Sequence, residues 1–364
     1  MIYQLEALDT LTFRTANPFD AGVNFHAYSQ FPPLPSVYAG ALRKGEAIKA
    51  RKIKIGFSGV LLNNEFAFPQ PLDTLITNEK TDNQEGENEL TAMALFQKRH
   101  SNHELEWMLA PTEEIEKKVS VSGGAYIKEA ALQQYLNGDR KITYEKLGDY
   151  FKRESHIGIE MEQKTHATKQ GMWYSTELIR PHQCSLVVEA TGIKTKEGDV
   201  IKIGGNTKLA HVKLIESFTI TPPVANNGYF KLYFATPAMF KYGWLPRWID
   251  PKTKEGTFTM KKRKVKVKLI AAAIDKPVPV GGYTENGGPR PMRMAIPAGS
   301  VYYFKLLDGS TYEDAVKLFH QKCLSDYRIP FDFNYGWWDR LVYCDRGFGY
   351  ALVGKMKEDM FHEK

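Results

Sequence analysis

Three glycine turns offer backbone that could close on a ligand: Gly204-Gly205-Asn206-Thr207-Lys208, Pro297-Ala298-Gly299-Ser300 and Arg346-Gly347-Phe348-Gly349. Glycine is used where φ must be positive or where another group must approach the main chain closely. In a basic protein such turns gather amide N–H groups and cations, which is the chemistry of phosphate binding. The last turn is not a dinucleotide fingerprint. Leu352 stands where a third glycine would be needed, and strand rather than helix is expected to follow. No Gly-Lys-Ser/Thr phosphate loop occurs. A second group lies in one stretch: His156, Lys164, His166, Lys169, Trp173 and Tyr174. Imidazole, phenol and ammonium could serve as base, acid and cation in metal-free cleavage of RNA by its own 2′-hydroxyl. The same side chains suit a surface that neutralises phosphates and stacks on bases. His100 and His103 are i, i+3 but lack a Cys or acid pair at ligand spacing. Cys184, Cys323 and Cys344 are scattered, so no metal, cofactor or disulfide framework is expected.

Positioning these groups requires strands and short helices. Residues 2–8 predict a first strand, followed by a loop with Arg14, Asn17, Pro18 and Gly22. Phe31-Pro32-Pro33-Leu34-Pro35-Ser36 then leads to a helix expected from Val37 with Ser36 as its cap. Strand, loop and helix form the opening half of a βαββαβ unit. Residues 77–90 carry five acids and one Lys without apolar periodicity, which predicts a solvated loop. Residues 125–153 predict helix from stripes at Leu132, Tyr135 and Leu136 and at Leu147, Tyr150 and Phe151. Alternation over 156–178 predicts a β-hairpin with a polar, basic tip at 163–171.

In the most basic stretch, 261–270, Lys262, Lys264, Lys266 and Lys268 fall on one face of a strand and Val265, Val267 and Leu269 on the other. That lysine face suits either phosphate binding or protection of an exposed sheet edge. Ser310 and Glu313 predict a capping box for a helix through Cys323, and a strand is expected over 348–353.

With 364 residues, 43% hydrophobic and 12% aromatic, the chain has material for two cores. The net charge of +7 and a pI near 9.0 favour an anionic partner, either nucleic acid or an acidic protein. Met1–Glu6 lacks the charged start and apolar core expected of a signal peptide, and no apolar run approaches about 18 residues. A cytoplasmic protein without a membrane partner is expected.

These motifs, in order, resemble a known family. They are Phe31-Pro32-Pro33 leading to Gly40-Ala41-Leu42-Arg43, then His156-Ile157-Gly158-Ile159 and Gly204-Gly205. Thr236-Pro237-Ala238-Met239-Phe240 follows with Gly243-Trp244-Leu245-Pro246, then Pro297–Phe304, and finally Gly347-Phe348-Gly349 with Gly354. Over nearly its full length the chain resembles the repeat-associated mysterious proteins (RAMPs) of the Cas-five-like group that form the third subunit of type III-B CRISPR Cmr effector complexes. Where that family tends to an acid and then Arg after the paired glycines, this chain has Asn206 and Lys208. Where it commonly has Arg before an Ile-Gly-like pair, it has His156. Lys208 lacks the bidentate fork of Arg.

The resemblance implies an α+β fold of two tandem ferredoxin-like (RRM-like) domains with a β-hairpin thumb and loop insertions. The N-terminal domain would span 1–216, with an insertion at about 75–153 and the thumb at about 156–178. The C-terminal domain would span 217–364 and carry the glycine-rich loop. The implied function is that of a non-catalytic scaffold with no catalytic residue. It would bind the 5′ tag of the CRISPR RNA and bridge the large polymerase-palm subunit to the backbone subunit. The residues expected at the RNA are Arg14, Arg43, His156, Lys164, His166, Lys169, Trp173, Gly204, Gly205, Lys208, Arg346, Gly347, Phe348 and Gly349. Two other readings stand beside this one: a metal-independent CRISPR RNA-processing endoribonuclease of the same superfamily, and a purely protein–protein adaptor.

Overall fold

A computed structural model describes residues 1–15, 25–42, 53–78, 88–98, 102–112, 124–225, 227–282, 291–326 and 343–362. The chain begins with β1 (Ile2–Ala7), β2 (His26–Ala27), α1 (Pro35–Ala41), β3 (Lys54–Leu62), β4 (Glu65–Pro69), β5 (Thr74–Asn78) and β6 (Glu89–Ala92). Next come β7 (Ala94–Gln97), β8 (Trp107–Ala110), β9 (Ala125–Lys128), α2 (Glu129–Leu136), β10 (Lys141–Thr143) and β11 (Glu145–Lys146). Then follow β12 (Phe151–Met161), β13 (Thr168–Pro181), β14 (Cys184–Thr191), β15 (Val200–Lys202), β16 (Leu209–Ile215), β17 (Tyr229–Phe234), β18 (Glu255–Met260) and β19 (Arg263–Ala273). The series ends with β20 (Val278–Val280), β21 (Arg293–Ala295), β22 (Val301–Leu307), α3 (Tyr312–Phe319), β23 (Lys322–Cys323), β24 (Tyr350–Lys355) and β25 (Phe361–His362). Among the described residues the fold is therefore mixed, with many strands and few, short helices. Among the described residues no helix is long and apolar enough to cross a membrane.

The chain divides into two compact units, and neither is continuous. The first comprises 1–64, 147–217 and 279–292, and the second 65–146, 218–278 and 293–364. Most of the expected insertion, through residue 146, thus groups with the C-terminal segments.

In the first unit the strand order runs β3-β14-β1-β16-β15, each neighbour antiparallel. Ile2, Tyr3, Gln4 and Leu5 are all buried, so β1 is covered on both faces and shows little alternation. Helix α1 starts earlier than expected. Pro35 occupies the first turn, where its missing N–H breaks no bond, and Leu34 rather than Ser36 is the N-cap. Tyr38 ties α1 to β3 by donating to the Gly59 carbonyl at 2.9 Å. The connection from β14 to β16 holds β15 and no helix.

The helix expected over 125–153 is mostly absent. Only 129–136 is α-helical, and Gly138, at φ 84, ends it in the left-handed region. Strands β9, β10, β11 and the start of β12 take the remainder, with a 3-10 turn at Leu147–Tyr150. The acidic loop expected at 77–90 begins and ends in strand, Asn78 facing Glu89 across β5–β6. Its middle, 79–87, lies outside the described residues.

In the second unit the sheet runs β18-β19-β22-β17-β24-β23, and β11-β9-β4 forms a further ladder. Helix α3 covers one face of the larger sheet over a core that includes Phe230, Phe304, Phe319, Val265 and Val267. Its capping box is formed by Thr311 and Asp314, one residue beyond the expected Ser310 and Glu313, and the helix stops at Phe319.

The other face carries a buried polar cluster. Asp73, fully buried, accepts from the Tyr135 hydroxyl at 2.8 Å on each oxygen and from Tyr303. Lys231, 1% exposed, places Nζ 3.3 Å from the centroid of the Tyr135 ring. Burial pushes that ammonium down to about 8, against the pull of Asp73.

Candidate nucleic-acid interface

The expected hairpin forms and is longer than its sequence pattern suggests. Phe151–Ile159 pairs with Trp173–Pro181, and Met161 faces Thr168 across a register shift. Directly opposed residues share a face, so Ile157, Ile159, Met161 and Trp173 lie on one side, and His156, Gly158, Glu160 and Tyr174 on the other. The first set is exposed by 65%, 52%, 56% and 46%, which leaves an apolar strip in water. The Trp173 ring stacks on Phe25 at 4.8 Å and 5°, so one of its two faces is already covered. Strand β2 joins β13 in parallel at Ser175 and Thr176 and brings Phe25 into place. Tyr174 lies across Gly158, where a Cβ would meet its ring carbons and hydroxyl within 2.6 Å. Gly158 is therefore the seat of a cross-strand ring.

At the tip, Glu162 N–H donates to the Ala167 carbonyl at 2.9 Å, and His166 has φ 52. Lys164, His166 and Lys169 are all exposed there, with Lys169 bridged to Glu160 at 3.2 Å. His156 sits opposite Thr176, five residues before Met161. At about 3.4 Å per residue this is roughly 17 Å from the tip. His156 and His166 therefore do not form the acid–base pair that a nuclease centre on this hairpin would use.

The second cluster lies around Asp9. Lys208 donates to Thr10 Oγ1 at 2.7 Å and lies 3.5 Å from Asp9. Arg180 bridges Asp9 at 3.0 Å and also grips Glu154. The Thr10 N–H, followed by Arg180 and Lys208, holds the Asp9 carboxyl below its ordinary value. Arg180 does the same for Glu154. Gly205 N–H donates to the Thr12 carbonyl at 2.9 Å. A Cβ on Gly204 (φ 75) would fall 2.3 Å from that oxygen. The paired glycines thus close on 10–13, with Asn206 and Thr207 (φ 52 and 54) completing the turn to β16. Lys208 is engaged by protein rather than held open. Arg14, exposed, bridges to Ser29 through backbone.

In the second unit the C-terminal glycine turn does not form the expected phosphate cradle. Phe348 is fully buried and meets Tyr343 edge-on at 5.6 Å, so it offers no face to a base. The amides of Arg346, Gly347, Phe348 and Gly349 donate to Tyr343, Cys344, Tyr343 and Pro237 carbonyls respectively. Thr236 Oγ1 closes the loop by donating to the Gly347 carbonyl at 2.7 Å and accepting from Tyr350 N–H at 2.8 Å. Gly299, in the turn before β22, is likewise consumed, since its N–H donates to Phe234 and its carbonyl accepts from Leu72. Close approach is made by protein at all three turns.

Arg43 lies outside the described residues, as does His100. No group of three or more His, Cys, Asp or Glu is disposed to hold a metal among the described residues. Sequence reasoning missed Phe25, for which no local signal exists, and the Asp9–Arg180–Glu154 chain, whose members are far apart in sequence. Gly158 in the middle of a strand was the available sign of the Tyr174 ring.

A family model described as CRISPR-associated protein (Cas_Cmr3) matches residues 3–322. No curated protein matches the chain. Among solved structures, a chain of the Type III-B Cmr-beta complex bound to cognate target RNA is 15% identical with a TM-score of 0.51, the match covering 96% of each chain. A chain of that complex bound to cognate target RNA and AMPPnP is 16% identical with a TM-score of 0.48, covering 83% of this chain and 86% of the other. At these identities the likeness concerns the fold alone.

Proposed function

This chain belongs to the Cmr3 family of CRISPR-associated proteins, and from that premise we propose that it is a non-catalytic structural subunit of a type III-B RNA-guided complex. In this reading it holds the 5′ tag of the CRISPR RNA and joins the large polymerase-palm subunit to the backbone subunit. The order β1-α1-β3 in the first unit and β22-α3-β23 in the second supports reading each unit as ferredoxin-like.

The observation that carries the reading is the hairpin β12–β13. Folding alone gives no reason to leave Ile157, Ile159, Met161 and Trp173 in water beside a tip that carries Lys164, His166 and Lys169. Bases can lie on such an apolar strip, and phosphates can meet Lys164, Lys169, His166 and His156. Arg14 lies on a strand bridge beside it, and Arg43 keeps the tag-facing role implied by the resemblance. The turns at Gly204–Gly205 and Gly347–Gly349 act by fixing neighbouring strands, and Lys208 by bracing the hairpin's base. The relative with a TM-score of 0.51 comes from an RNA-bound Type III-B assembly, which supports placing a chain of this fold in such a particle.

The test pairs the full chain with its Lys164→Ala/Lys169→Ala variant and labelled tag RNA, read by anisotropy at two salt concentrations. Each lost phosphate contact on a single strand lowers the log–log salt slope by about 0.7, so the pair lowers it by about 1.4 and weakens binding roughly tenfold at low salt. Unchanged affinity and slope remove the hairpin from the RNA site. Run in EDTA, the same mixtures return full-length RNA, and a product ending in a 2′,3′-cyclic phosphate overturns the non-catalytic assignment.

A further inference from the structure

The lysine ladder of β19 is not explained by edge protection. β19 is second in the sheet, bonded to β18 on one side and β22 on the other, so β18 carries the exposed edge. Val265, Val267 and Leu269 point into the core, at most 1% exposed, and Lys264, Lys266 and Lys268 point the opposite way. Register places Glu255, Lys268, Lys305 and Tyr229 in one row across β18, β19, β22 and β17. Lys268 and Lys305 are thus directly opposed. Like charges at that spacing oppose sheet formation.

Two of these lysines are partly offset: Lys268 lies 3.0 Å from Glu106, and Lys266 bonds Asp308. Lys264 and Lys305 are exposed and meet no carboxylate among the described residues. Lys305 instead lies 5.9 Å from the Tyr229 ring centroid. The β18–β19 turn adds Lys261 and Lys262, with Lys261 at φ 57 where glycine would fit without strain. Glu255, opposite Lys268, also acts on Lys266, so the face carries four lysines against Glu255, Glu106 and Asp308, and its surplus positive charge lies at Lys264 and Lys305.

We infer that the face formed by Lys264, Lys266, Lys268 and Lys305 is a second binding surface, for single-stranded RNA. Lysines two residues apart on a strand recur about every 6.7 Å, close to the separation of neighbouring phosphates in an extended strand. Exposed Thr257 and Thr259, opposite Lys266 and Lys264 on β18, add hydroxyl donors along the same track. A flat sheet face cannot enter the deep groove of an A-form duplex but accommodates an unpaired strand. This surface lies wholly in the second unit and does not depend on the hairpin reading.

The test uses the full chain and a 5′-fluorescein oligouridylate of about 20 nucleotides, longer than one ordinary site. Lys264→Ala/Lys305→Ala is compared with wild type, and again in the Lys164→Ala/Lys169→Ala background. Neither lysine anchors the fold and Lys305 opposes Lys268, so circular dichroism stays unchanged and Tm does not fall. The pair is expected to lower affinity about three- to tenfold and the salt slope by about 1.4 in both backgrounds. No change in either background overturns the inference. Competition by poly-glutamate equal to that by RNA, lost in the variant, also overturns it and assigns the face to an acidic protein segment. Loss here with none from the hairpin variant sinks the hairpin reading and leaves this one standing.

Discussion

At Gly349 the residue type is set by crowding. Its φ is 80, and an added Cβ would lie 2.8 Å from Ser325 N and 3.2 Å from the Ala238 Cβ. Left-handed backbone costs an L-residue about 1–2 kcal/mol before any clash is counted. Gly349→Ala is therefore expected to lower Tm by about 4–10 °C, given 2–4 °C per kcal/mol in domains of this size. RNA affinity, measured where the variant is still folded, should not change. A loss of affinity with an unmoved Tm would restore this turn to the RNA site. The motif was legible in sequence, but its meaning was not, because glycine marks a close approach without saying whether protein or ligand makes it. Phe348 has the same ambiguity: an aromatic beside two glycines suits a stacking platform and a core plug equally well, and the structure makes it the plug.

Among elements, the β12–β13 hairpin was the most legible, because the alternation of Ile157, Ile159 and Met161 has no helical counterpart. The helix expected at 125–153 failed because short strands and a short helix, each with a few large apolar residues, sum to a false stripe. The α3 cap was displaced by one residue because Ser310-Thr311 and Glu313-Asp314 offer two boxes in adjacent registers. No pattern announced the cluster that joins β17, β22 and α2 through Asp73, Lys231, Tyr135 and Tyr303.

That cluster makes a pH prediction. The folded Lys231 titrates at about 8 and the unfolded at 10.5, with Tyr135, Asp73, Lys357 and Asp139 around it. Because its folded value is depressed, its contribution is complete above the unfolded value and is lost as pH falls through about 8. Tyr135 and Tyr303 are raised by burial, so their contribution is complete below their ordinary value of 10.0 and is lost above it. From pH 8 to 10 wild type should therefore gain on the order of 2 kcal/mol relative to Lys231→Met. Urea midpoints at several pH values measure this, and parallel curves for the two proteins would contradict it.

For the whole molecule, charge and composition suggested an anionic partner and enough chain for two cores, and the chain divides into two compact units. Sequence order concealed that 65–146 groups with the C-terminal segments, since contiguity along a chain carries no record of contiguity in space. The residues proposed to meet RNA are accordingly fewer than the motifs suggested and are concentrated on exposed strands rather than in glycine loops. The most direct measurement is photocrosslinking of 4-thiouridine placed in the 5′ tag of the guide RNA within the assembled complex, with the attachment sites mapped by mass spectrometry. Crosslinks to this chain within residues 156–176 are predicted. Crosslinks confined to other subunits, or to this chain only outside that hairpin, would contradict the account.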